Sequence, residues 1–220
     1  TFRLTAFVGS IKYEIKYIMF TQKIALTGGI ASGKSLASKI FQKLGANVID
    51  LDAVSRRVVV PGSDGLMELV KSFGSSILNS DGTLNRKELR RLLIENKNNQ
   101  IKIESILHPK ILDEMEQQIA KIESKFVIIE IPLLAESGNS QMYDSAIIVD
   151  CEESTQLERL ITRENISKDD AIKMMSAQVN REGRLKIAGN LPTDIITNDT
   201  TESDLEKQVG VLYEKFTANY

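Results

Sequence analysis

The 220-residue sequence has one histidine, one cysteine and no tryptophan. One His cannot build a His-rich zinc site, and one Cys can make neither an intrachain disulfide nor a CxxC centre. A Ser-His-Asp enzyme would have to use His108, which stands directly before Pro109. Aromatic residues are only 5%, which argues against a base-stacking platform for nucleic acid. Lys plus Arg number 28 against 30 Asp plus Glu, a net charge of −2, so broad electrostatic attraction to nucleic acid is absent as well. No apolar run approaches the ~20 residues of a membrane span. Neither nucleic acid nor membrane is therefore an expected partner. Cys151 reads as a reduced, partly buried thiol, which fits the cytoplasm.

Hydrophobic residues make up 42% and charged residues 26%, ordinary values for a globular chain. A chain of this length buries roughly 70% of its unfolded surface, so it needs no disulfide or structural metal. One compact unit with a smaller subdomain or lid is the expected organisation. Residues 1–18 stand apart: they hold Arg3, Lys12 and Lys16 but no continuous apolar core and no small-residue cleavage site. They read as a non-native or disordered extension, with Met19 as the start of the domain at 19–220; an extra strand or arm is the alternative.

The pattern along the chain alternates strand and helix. KIALT (23–27) is a short apolar strand followed by a Gly-rich turn, and residues 35–45 repeat Leu36, Ile40 and Leu44 on one helical face. NVIDLD (47–52) reads as a second strand, completing a strand–helix–strand unit of a parallel sheet. Residues 53–125 read as mostly helical, with Asn85 capping RKELRRLLIE and Pro109 in a first helical turn. FVIIEI (126–131) and SAIIVD (145–150) are β-branched apolar runs that suit strands covered on both faces. Charged helices fill 154–188, DIIT (194–197) is a last strand, and 201–218 is a closing amphipathic helix. This order is α/β with insertions.

GGIASGKS, Gly28 to Ser35, fits G-x-x-x-x-G-K-[ST] without a mismatch. The pattern has roughly a 1% chance of arising in a chain this long at average residue frequencies. The apolar strand before it and the helix after it supply the context the motif requires. Gly28 and Gly33 let the backbone curl so that successive N–H groups face phosphate oxygens. The helix beginning near Lys34 adds its positive dipole end. Lys34 should reach the β- and γ-phosphates, and the Ser35 hydroxyl should ligate Mg²⁺. Gly28, Gly29, Ile30, Ala31, Ser32, Gly33, Lys34, Ser35 and Leu36 are thus the expected ATP contacts.

Three features favour a small-molecule kinase over a GTPase or an ATPase motor. No guanine-reading N-K-x-D is present, since Asn198-Asp199 is flanked by Thr197 and Thr200. The second strand ends in Asp50-Leu51-Asp52, where strand alternation aims both carboxylates to one side of the ligand crevice. Either can hold Mg²⁺ through water or accept a proton from a substrate hydroxyl; the alternative is an N-cap for the next helix. Arg159, Arg163, Arg181 and Arg184 lie on charged helices able to close over a transferring phosphoryl group, where one such Arg is worth about 10³–10⁵ in rate. A solvated helix face is the alternative for each.

From Lys23 to the last helix the sequence resembles the dephospho-CoA kinase family. The resemblance rests on LTGGIASGKS, VIDLDAVSRRVVVPG, DGTLNR, LHP, IPLLAE and SAQVNREGRL in that order, and residues 1–18 fall outside it. It implies a three-layer P-loop fold with a five-stranded parallel sheet, a helical CoA-binding subdomain at about 53–125 and a lid at about 160–188. It implies a transferase taking ATP, with Mg²⁺, and dephospho-CoA, phosphorylating the ribose 3′-hydroxyl as the last step of CoA synthesis. Carried over by motif, Asp52 is the candidate base, Lys34, Arg163 and Arg181 attend the phosphates, and Ser35 is the metal ligand. Thr27, Asp50, Asp52, Arg56, His108, Pro132 and Leu133 are the substrate contacts. Glu130 stands where many relatives carry Asp, and Leu36 where many have Thr. A monomer or small homo-oligomer is expected. Another nucleoside or nucleotide kinase of this fold, or a P-loop ATPase switch, is the competing reading.

Overall fold

The computed structural model describes residues 3–8, 11–16, 21–137, 139–186 and 190–218. They fall into two compact units, Thr1–Ile49 with Ile122–Tyr220, and Asp50–Lys121. Arg3–Val8 (β1) and Ile11–Lys16 (β2) pair antiparallel as a separate two-stranded sheet. Met19 lies outside the described residues.

The main sheet contains Gln22–Gly28 (β3), Val48–Asp50 (β4), Phe126–Glu130 (β5), Ser145–Asp150 (β6) and Thr193–Thr197 (β7). Its order is β4-β5-β3-β6-β7, and β3 runs parallel to both β5 and β6, as β6 does to β7. The expected five-stranded parallel sheet is therefore present. On one face Ile24, Leu26, Phe126, Ile128, Ile147 and Val149 pack with Ala37, Ile40 and Phe41 of Lys34–Lys43 (α1). The last helix joins the same core through Leu205, Val209, Leu212 and Phe216, which recur at helical spacing. Its Tyr213 and Phe216 meet the Phe126 ring at 6.0 and 5.7 Å. The alternate strand residues Ala25, Val127, Ile129 and Ile148 are equally buried, so both faces are covered. That is why these strands read as unbroken apolar runs.

The second unit is helical: Leu51–Arg57 (α2), Asp64–Phe73 (α3), Arg86–Glu95 (α4) and Lys97–Ile119 (α5). Ser63 and Asn85 cap α3 and α4, accepting from the N–H groups of Leu66 and Glu88. Its core is Val59, Leu66, Leu69, Ile77, Leu84 and Ile103, with Leu89, Leu92 and Leu93 of α4 packed against it.

Two expectations are corrected here. The second strand stops at Asp50, and Asp52 is already helical, because the Asp50 carboxylate accepts from the N–H groups of Asp52 (2.8 Å) and Ala53 (3.2 Å). A local cap has overridden strand alternation. Pro109 lies inside the 23-residue α5, not in a first turn, and His108 is helical too. The helix continues through Pro109 although that residue offers no N–H to the Ser105 carbonyl.

The remaining helices belong to the first unit: Leu134–Ser137 (α6), Glu153–Glu164 (α7), Lys168–Ser176 (α8), Arg181–Leu185 (α9) and the closing Glu202–Ala218 (α10).

Candidate active site

Parallel strands end on one edge of the sheet, and the chemistry collects there. Glu130 is the last residue of β5, Gly28 of β3 and Asp150 of β6, while Asn198 follows β7. The Gly-rich loop leaves β3 at this edge and returns as α1 at Lys34. Gly33 has φ +95 and lies against the Asn198 side-chain amide, which donates to the Ser32 carbonyl at 2.7 Å. A side chain at residue 33 would be strained in conformation and would collide with that amide. Ala31, at φ 59, takes a left-handed conformation without being glycine. The helix start has no side-chain cap and no acidic residue in its first turn, so its positive end stays open to an anion.

Lys34 and Ser35 converge on one carboxylate. Lys34 Nζ is 2.6 Å from Glu130 Oε1, and Ser35 Oγ donates to the same oxygen at 2.9 Å. Burial alone would raise the Glu130 pKa. Hydrogen bonding and charge from Lys34, with hydroxyls of Ser38 and Ser35, outweigh it and hold the carboxyl below its ordinary value. Of the expected loop residues, Lys34 and Ser35 are thus gathered at Glu130, and Thr27 in β3 is buried. Ser32 Oγ is buried and has no hydrogen-bond partner. Leu36 turns its side chain to the sheet core and gives its N–H to Gly33.

The arginines divide. Arg181 Nε donates to both Asp150 oxygens at 3.1 and 2.9 Å, and its Nη1 meets Glu152 Oε1 at 2.6 Å. Those two carboxylates keep it firmly protonated. Arg163 is exposed on α7 and pairs with Glu164. With Ala31, Gly33, Thr155, Arg159 and Asp199 it lines an open cavity of about 630 Å³. Arg184 is buried and donates to the Val179 carbonyl at 2.5 Å.

In the helical unit, Asp52, Arg56 and His108 are exposed, and Asp50 is engaged as the α2 cap. Pro132 and Leu133 follow β5, half-buried and 47% exposed respectively. Sequence reasoning missed Asp150, Gln156 and Asn198 as parts of this edge. The signal was present for two of them, because a polar residue at the end of a parallel strand faces the crevice. Gln156 reads in the sequence as one polar residue of a charged helix, and only its burial in the fold sets it apart.

The family model for dephospho-CoA kinase matches residues 22–204. A dephospho-CoA kinase from Vibrio parahaemolyticus is 35% identical over 196 residues, covering 89% of this chain and 94% of its own. One from Idiomarina loihiensis is 37% identical over 198 residues, covering 90% and 96%. The solved dephospho-CoA kinase from Campylobacter jejuni superposes with a TM-score of 0.66 at 26% identity, covering 91% of this chain and 100% of that one. The matched span contains the loop, the Glu130 edge, the helical unit and the α7–α9 segment, and on this evidence the chain belongs to the dephospho-CoA kinase family.

Proposed function

We propose that the residues converging on the Gly-rich loop bind the triphosphate of ATP, while the helical unit at 50–121 takes the acceptor, so that the chain performs its family's reaction. The γ-phosphoryl of ATP passes to the ribose 3′-hydroxyl of dephospho-CoA, giving CoA and ADP in the last step of CoA synthesis. The observation that supports the ATP assignment is the pair of contacts from Lys34 and Ser35 to Glu130 at the open end of α1.

Loop N–H groups and the α1 end neutralise phosphate charge, and Lys34 follows it onto the γ-phosphoryl as it transfers. Lys34 leaves Glu130 to do so. The Ser35 hydroxyl and the Glu130 carboxylate are hard oxygen donors of the kind Mg²⁺ prefers and would hold it there. When bound, Mg²⁺ neutralises charge on the β- and γ-phosphates.

Asp52 is the candidate base. A ribose hydroxyl is far too weak an acid for a carboxylate to ionise outright, so Asp52 orients it and takes the proton late. Asp50 supports the same turn as a cap. Arg56 and His108 in the helical unit, and Pro132 and Leu133 after β5, are the proposed acceptor contacts. Arg163 borders the cavity at Ala31 and Gly33 and contacts ATP there. Arg181 attends the phosphates only on leaving Asp150 and Glu152. The enzyme works in the cytoplasm as a monomer or small homo-oligomer, and its buried thiol at Cys151 fits a reducing compartment.

The test is a kinase assay with ATP, Mg²⁺ and a panel of acceptors including dephospho-CoA and nucleoside monophosphates, with product identification. CoA as the sole phosphorylated product is the expected result. Phosphorylation of a nucleoside monophosphate and not of dephospho-CoA overturns it.

A further inference from the structure

A phosphate loop works by turning N–H groups inward, which turns some of its carbonyls into the protein, where each needs a donor. At Ile30 the structure supplies both partners from glutamine side chains. The Ile30 carbonyl accepts from Gln156 Nε2 at 2.8 Å, and the Ile30 N–H donates to Gln178 Oε1 at 2.9 Å. Gln156 comes from α7 and is 2% exposed; Gln178 comes from the turn between α8 and α9. The far end of the Gln156 amide meets Arg184 Nη2 at 3.4 Å, and Arg184 Nη1 donates to Val179, next to Gln178. The contacts close a ring: Ile30, Gln156, Arg184, Val179, Gln178 and back to Ile30. Gly29 completes the fit, since a side chain there would strike Gln156 and Arg184.

We propose that Gln156 is a positioning residue for ATP binding: its buried amide, oriented by Arg184, fixes the Ile30 carbonyl away from the anion and so holds the loop's other N–H groups in their phosphate-facing curve. This rests on the reading of the loop as the ATP site. The direction of each hydrogen bond matters. Toward Ile30, Gln156 must donate, and a carboxylate there cannot. Toward Ile30, Gln178 must accept, and a thioether there cannot do so comparably.

The test is calorimetric titration of the full chain with ADP and Mg²⁺, which needs no acceptor, alongside steady-state KM for both substrates. Gln156→Met keeps the length of the side chain and removes both hydrogen bonds. Gln156→Glu keeps the shape and the Arg184 contact but removes the donor. An unpaired buried carbonyl is expected to weaken ADP binding about tenfold in each variant. KM for ATP rises with it, while KM for dephospho-CoA stays within twofold. A merely space-filling Gln156 predicts that Glu restores wild-type ADP affinity, and that result overturns the proposal. So does an equal loss for both substrates. If the Gln156 variants do not fold, Gln178→Met decides: severalfold weaker ADP binding is expected, and unchanged affinity overturns the ring as a positioning device. Should the wild-type chain fail to phosphorylate dephospho-CoA, the kinase reading falls, while the ADP titration still decides the role of Gln156.

Discussion

Glu130 Oε1 stands 2.6 Å from Lys34 Nζ and also accepts the Ser35 hydroxyl, so one buried oxygen holds the two side chains proposed for the triphosphate and its metal. The pair is well screened from water, with side chains 13% and 11% exposed. On the proposed reading, a ligand that draws Lys34 away leaves the Glu130 carboxylate free to take a cation, which would couple nucleotide and metal binding through it.

The pair gives stability a defined pH dependence. The Glu130 carboxyl ionises below its ordinary 4.5 in the folded chain. Between the folded pKa and 4.5 the unfolded chain binds more protons, so stability rises with pH through that window and is level above it. Glu130→Gln is expected to lose about 1–2 kcal/mol at pH 7, some 3–6 °C in Tm for a chain this size. The difference from wild type should shrink as pH falls toward 3. A Tm gap that stays constant from pH 7 to pH 3 would show that the charge on Glu130 is not what stabilises.

Lys34 and Asp52 are expected to fail differently. Lys34→Ala removes charge from the transferring phosphoryl group and should lower kcat/KM about 10²–10³-fold. Asp52→Asn should leave ADP affinity unchanged and lower kcat about 10²–10⁴-fold, since only proton acceptance is lost. Initial-rate kinetics with ADP titration separate the two. Near-normal kcat in the Asp52 variant removes it as the base.

Asp50 has a structural task that can be isolated. Its carboxylate caps α2 through Asp52 and Ala53. Asp50→Ala should cost about 1 kcal/mol, while Asp50→Asn keeps an acceptor and most of the stability. Thermal melts of both variants check this. If Asn also lowers kcat sharply while Tm holds, Asp50 acts on the acceptor beyond its capping role.

The strands of the main sheet, the loop and the capped helices were legible in the sequence because each is set by local pattern, whereas β1 and β2 fall where an extension was expected. FVIIE and SAIIVD are apolar on every position because both sheet faces are covered. Asn85 announces α4 three residues ahead of the Glu88 N–H that it accepts. The pairings were not legible, because they depend on which strand ends lie side by side. The pattern of a charged helix gave no sign that Arg181 pairs with Asp150 at the end of β6. Asp52 looked like a strand residue because a cap and a strand end have the same sequence signature. Gln156 looked like one polar residue on a charged helix, and only the fold shows that the Ile30 carbonyl is its partner.

Cys151 should be chemically silent in the folded chain. Burial pushes its thiol up to about 11 from 9.0, and Asp199 and Asp150 nearby add to the rise against the opposing Arg159 and Arg184. Two units of pKa leave about a hundredfold less thiolate at pH 8, before any loss of access is counted. Alkylation by iodoacetamide at pH 8 is expected to be at least that much slower in the native protein than in urea. Because the thiol is held neutral by the fold, stability from it is complete below 9 and lost as pH rises toward 11. Comparable native and denatured rates would mean that the Cys151 site opens readily.

Ala31 carries the one conformational strain the phosphate loop does not need. Its φ of 59 lies where a Cβ crowds the following carbonyl, at roughly 1–2 kcal/mol for an L-residue. Glycine takes that conformation freely but loses about 0.5–1 kcal/mol more backbone entropy on folding. The difference favours Ala31→Gly by about 0.5–1 kcal/mol, a rise of some 1–4 °C in Tm. ADP affinity should hold, because the loop's N–H groups keep their direction while the strain goes. A thermal melt with ADP titration reads both quantities. A fall in Tm would mean that Ala31 is held in its left-handed conformation at no cost. A rise in Tm with weaker ADP binding would mean that the Ala31 methyl stiffens the loop for its ligand.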